Sequence, residues 1–190
     1  MRVTDSLRGV GCPRLPGNWL PGGCPDDNPG VAAGLLDCSL PAREWTHQAH
    51  YAATLWLMRH VPSLDLPTTM PDIIRRYNAA TGVPNSATRG YHATITLASL
   101  RATRAFLDTH NCCAPVQNTG DTTVGSAEVA GMLLHPQGSP ERPLHVILSE
   151  LMESPLGDVE WLLEYWSADV LFTPEARRQW TEPDIKALPF

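Results

Sequence analysis

The placement of proline and glycine decides most of what this chain can fold into. Eighteen prolines and fourteen glycines among 190 residues break regular structure often, because proline lacks an amide donor and glycine favours turns and loose ends. The breakers crowd first into residues 9–34, with Pro13, Pro16, Pro21, Pro25, Pro29 and seven glycines. No long helix or strand is predicted there, although Trp19 and Leu20 favour some packing. The chain therefore divides into a Pro/Gly-rich arm over 1–38 and one helical domain over 39–190.

The stretches left between breakers carry a helical rather than an alternating pattern. Over 42–60 the residues Trp45, Ala49, Ala52, Ala53, Trp56 and Leu57 recur at steps of three and four, which predicts one amphipathic helix. Ser39 and Pro41 stand where a cap and a first-turn proline belong, and Pro62 and Pro67 end the element. A second helix is predicted from Thr69, with Asp72 in a capping box, through Ile73, Ile74 and Tyr77 to Gly82. A third covers 91–109, a fourth lies near 142–152, and a short one near 174–180. Residues 110–127 read as a polar loop, and strand patterning is nearly absent. The expectation is an all-α fold, a small bundle with a long irregular N-terminal arm and C-terminal tail.

Bulk properties exclude several classes of function. A net charge of −6 without a Lys/Arg cluster disfavours nucleic acid, whose phosphates demand such a cluster. No run of about 18 apolar residues is present to span a membrane, and residues 1–8 lack the apolar core of a secretory signal. The five cysteines, at 12, 24, 38, 112 and 113, are odd in number and irregularly spaced. That argues against a disulfide framework and fits a reducing, cytoplasmic setting. A small molecule is the partner left over, and oligomeric state stays open.

Chemistry concentrates in Glu44-Trp45-Thr46-His47-Gln48-Ala49-His50-Tyr51. On a continuous helix, steps of three align Glu44, His47 and His50 along one stripe. Two imidazoles one turn apart can chelate a divalent ion, and a carboxylate a turn earlier can ligate or move protons. A third ligand is required, and His92 fits because the helix it begins can fold back on the first. His60 lies roughly 20 Å from His47 by helical rise; His110 is at the far end of the third helix, His135 is in a loop, and His145 is a distant alternative. Tyr91 is a second candidate proton carrier. The alternative reading is a metal-free polar pocket that uses the same histidines as acid and base. Glu150 and Glu153 read as a solvated face, and Trp161, Tyr165 and Trp166 as core or pocket wall.

The motifs Glu44-Trp45-Thr46-His47-x-x-His50, Ile74-Arg75-Arg76-Tyr77-Asn78, Gly90-Tyr91-His92-x-Thr94-Ile95-Thr96 and Leu171-Phe172-x-Pro174-Glu175-Ala176-Arg177, followed by Trp180-Thr181-Glu182-Pro183-Asp184, resemble a group of small microbial proteins over residues 40–187. Many of those carry a glutamate where this chain has Ala93. The group is in turn distantly similar to cyclopenase, a zinc-binding, haemocyanin-like enzyme of fungal quinolone biosynthesis that contracts a benzodiazepinedione ring. That likeness implies a zinc held by His47, His50 and His92, and a lyase or ring-rearranging activity in secondary metabolite biosynthesis with Glu44 or Tyr91 as catalytic proton carrier. A non-haem iron oxidoreductase with Glu44 as a carboxylate ligand is the alternative. A non-enzymatic helical binding protein is the third reading.

Overall fold

The computed structural model describes residues 30–110 and 141–190. The expected arm before residue 30, most of the 110–127 loop, His135 and all cysteines but Cys38 lie outside the described residues. Among the described residues the regular structure is seven α-helices and three 3₁₀ turns, with no strand. The fold is the expected all-α bundle, and no described helix is long and apolar enough to cross a membrane.

The helices are α1 (Gly30–Leu36), α2 (His47–His60), α3 (Leu66–Ala80), α4 (Ala93–His110), α5 (Leu144–Glu153), α6 (Ala168–Leu171) and α7 (Pro174–Arg178). Helix α2 is the axis of the bundle and packs against α1, α4 and α5. Its middle is buried nearly all round, from Ala53 to Met58, as expected of a helix with neighbours on several sides. Leu35, Tyr51, Leu55, Leu57, Ile147 and Leu151 are almost fully enclosed in this core. Removing such apolar surface from water drives the packing, at about 25 cal/mol per Å².

Helix α4 separates this core from a second one. Leu100 and Leu107 face the first cluster, whereas Ala98 and Ala102, one turn apart, meet Trp161, Leu162, Trp166 and Leu171 of the C-terminal segment. The two alanines leave room for an indole against the helix backbone, and Trp166 is wholly enclosed there with its Nε1–H donating to Thr181 O at 3.0 Å.

Three boundaries differ from the sequence expectation, each for a local reason. The arm predicted over 1–38 does not stay irregular to its end, because α1 buries Ala32 and Leu35 in the core. The helix predicted over 42–60 is broken. Residues Ala42–Glu44 form a 3₁₀ turn, and α2 starts only after Thr46, whose Oγ1 accepts from Ala49 N–H at 3.2 Å. A capping threonine inside an apparently continuous pattern was the signal for that break. Helix α3 starts at Leu66 rather than Thr69, with Pro67 in its first turn instead of acting as a terminator. Its end is as expected, with Gly82 just past it at φ 75°.

Candidate functional site

The α2 and α4 helices do not close against each other along their whole length, and a cleft opens between them. It comprises two cavities of about 230 and 470 Å³ that share His50, Thr54, Ile95 and Ser99 as common lining. The smaller is roofed by the C-terminal segment through Trp161, Leu162 and Leu171. The larger runs towards α3 and the loop before α4, past Trp45, Ile74, Tyr91 and His92. Apolar walls with a few convergent polar groups are the usual composition of a small-molecule site.

His47 and His50 both stand on the α2 wall of the smaller cavity. His47 Nε2 lies 3.1 Å from the carbonyl of Leu156. A carbonyl only accepts, so Nε2 carries the proton and Nδ1 is left as the ring's acceptor. The His50 ring has no hydrogen-bond partner among the described residues and opens to solvent at the junction of the two cavities. Trp45 meets it edge-on, with centroids 4.1 Å apart. Partial enclosure by protein, and secondarily the nearby His47, lower its pKa below the usual histidine range. Next to His47, with ring centroids 5.0 Å apart, Tyr51 buries its hydroxyl beside the Trp161 indole. Burial raises its pKa.

His92 is placed differently. It is buried at the N-terminus of α4, where its backbone carbonyl accepts from Thr96 N–H and its Nδ1 accepts a long bond, 3.4 Å, from Ile95 N–H. Its Nε2–H donates to Leu171 O at 3.0 Å. The ring is thus a helix cap on one side and an anchor for the C-terminal segment on the other. Burial, then the positive charge of Arg177, lower its pKa to about 4. Thr94 anchors the same segment: its Oγ1 donates to Gln179 O at 3.0 Å and accepts from Thr181 N–H at 3.1 Å.

The loop carrying Tyr91 and His92 is fixed by Asn85. Asn85 Oδ1 accepts from Asn78 Nδ2 and Tyr91 N–H, and its amide donates to Arg75 O. Gly90 sits over this hub at φ 85°, and a Cβ there would come within 2.4 Å of Pro84 O. Only glycine fits both the angle and the approach. Tyr91 is buried under the Arg75 guanidinium, 4.3 Å from its ring centroid. Burial raises its pKa, with Arg75 opposing.

Of the five sequence-predicted site residues, His50, Tyr91 and His92 line the larger cavity, and His47 joins His50 on the smaller one. Glu44 is not brought in. The break at Trp45-Thr46 takes it off the α2 stripe, and it is exposed, pairs with Arg43 at 3.3 Å, and lines neither cavity. The three histidines do not converge either. Among the described residues no group of three or more His, Cys, Asp and Glu side chains could hold a metal ion. His92 has both ring nitrogens engaged by backbone, so as placed here it presents no free nitrogen alongside His47 and His50. Sequence reasoning missed Thr54, Ser99 and Arg177 as cavity lining, since their convergence depends on how α2, α4 and α7 pack. Comparison with protein-family models, characterised proteins and solved structures finds no match to this chain, so the geometry of the cleft carries the functional reading.

Proposed function

We propose that this protein binds a small, largely apolar molecule in the cleft between α2 and α4, with His50 as the polar group that engages it. The observation that carries this reading is the meeting of both cavities at an imidazole that has no bond to the described protein. The walls supply apolar burial and Trp45 supplies a stacking edge. An imidazole so placed can accept a hydrogen bond or pass a proton, the minimum for acid–base catalysis on a bound molecule.

The test is a thermal-shift screen of small aromatic and heteroaromatic compounds, followed by NMR of the His50 ring. Hits are expected to move the His50 ring signals and quench Trp45, and His50→Ala should weaken them by about tenfold, the worth of one good hydrogen bond. A screen in which every hit leaves His50 unmoved overturns the reading.

A zinc-dependent lyase is the second reading. One observation favours it: His47 and His92 both donate Nε2–H to backbone carbonyls, the way metal-bound imidazoles are commonly oriented. It requires His92 to release Ile95 N–H and the three rings to draw together. Metal analysis of untagged protein separates the two readings. One equivalent of zinc, lost in His92→Ala, favours the metal enzyme; absence of stoichiometric metal with retained ligand binding favours the first reading.

A further inference from the structure

The end of the larger cavity has a chemistry that the His50 region does not share. Arg89 and Arg177 line it there, and a neighbouring cavity of about 280 Å³ is lined by Arg75, Arg177 and Arg178. Tyr91 and Arg177 form a wall common to both. Four arginines thus surround one region, and among the described residues no aspartate or glutamate lines either cavity. For a chain of net charge −6 this is a local reversal of sign.

The neutralisation of these arginines is uneven. Arg75 reaches Asp72 at 3.5 Å, and Arg178 reaches Glu175 at 2.6 Å, both on the surface. Arg89 and Arg177 have no carboxylate partner among the described residues. Arg177 is held in place by Nη1, which donates to Gly90 O at 3.1 Å and Tyr91 O at 3.3 Å, while its Nε–H is buried with no acceptor. A guanidinium fixed by two neutral carbonyls keeps a positive charge uncompensated by any described carboxylate, and an oxyanion at the cavity wall would pair with it.

We infer that the cleft takes a small molecule bearing an oxyanion, a carboxylate or phosphate, which docks against Arg177 and Arg89 while its apolar body extends towards His50. The inference rests on the reading of the cleft as a ligand site and adds the class of ligand. Arginine suits this role because its planar fork pairs with two oxygens at once. Tyr91, held flat beneath Arg75, separates the two basic cavities and sets the depth that the oxyanion reaches.

The probes are benzoate, phenyl phosphate and the neutral benzyl alcohol, titrated into full-length protein labelled with ¹⁵N-arginine. Arginine Nε–H signals report the basic end, and Trp45 fluorescence with the His50 ring signals reports the other. Both anions are expected to bind at least about tenfold more tightly than benzyl alcohol, as charge-assisted hydrogen bonds predict, and to shift Arg177 Nε–H. Benzoate against phenyl phosphate tells which oxyanion fits. Arg177→Gln should abolish the preference for anions and Arg89→Gln should reduce it. Equal affinity for all three probes, or an undiminished preference in Arg177→Gln, overturns the inference while leaving the apolar cleft intact. If Arg177→Gln does not fold, the exposed Arg89 decides the same question, and an undiminished preference in Arg89→Gln is the overturning result. Anions that shift the arginine signals without moving Trp45 or His50 would support the oxyanion site and remove the His50 reading. No shift at either end removes both.

Discussion

The α2 wall and the start of α4 both offer histidine to the same cleft, yet they hold it in opposite ways. On α2, His50 stands free at the junction of two cavities, and His47 keeps one ring nitrogen uncommitted. At the start of α4, His92 spends both ring nitrogens on backbone, capping one helix and tying down the segment that roofs the smaller cavity. The contrast shows that burial and bonding, rather than residue type, separate a group available to a ligand from one that builds the site. The roof makes the dependence concrete: Leu171 lines the smaller cavity through its side chain and accepts the His92 bond through its carbonyl.

The sharpest way to break this comparison is to remove the structural histidine. His92→Leu leaves Leu171 O and Ile95 N–H unpaired in the interior, and a stability loss of about 3–4 kcal/mol is expected in urea melts. A loss below about 1 kcal/mol would show that His92 is not structural. Acid should act on the same ring. An unfolded imidazole takes its proton near pH 6.5, whereas folded His92 does so only at about 4. Between those values the unfolded state binds more protons, so stability falls as pH drops through that window, by about 3 kcal/mol. Comparison of stability–pH curves for wild type and His92→Gln isolates this contribution; identical slopes would refute it.

Thr94→Val probes the second anchor of the roof. The swap keeps shape but strands Gln179 O and Thr181 N–H, and about 2 kcal/mol should be lost. Hydrogen exchange in residues 161–181 should accelerate more than in α2, because the roof and not the bundle core is released. The smallest effect on stability belongs to the α2 wall. His50→Gln should stay within about 0.5 kcal/mol of wild type while weakening ligand binding, since its ring bonds to nothing in the described protein. A large destabilisation there would erase the distinction between the two histidines.

Much of this was legible in the chain. Period and breakers alone yield the helical class, the positions of α2, α4 and α5 within a few residues, and the cap at Gly82. The prominence of His47 and His50 is also visible from their place on one polar stripe of a strong helix, and that of Tyr91 and His92 from their place just before the next one. What misled was continuity: a run of apolar residues from Trp45 to Leu57 reads as one helix, although Thr46 caps α2 and turns Glu44 out to solvent. A cap is a competition between local hydrogen bonds, and periodicity carries little information about its outcome.

By itself, then, the sequence determined the all-α class, the absence of any described helix able to cross a membrane, and the histidine-bearing helix that walls the cleft, because these follow from local period and composition. Only the tertiary structure decided which histidine is free, that Arg177 and Arg89 reach the same cavity as His50, and that Leu171 accepts from His92 across 79 positions of chain. Such assignments depend on which backbone carbonyls and side chains from distant segments meet each ring, and packing alone sets that.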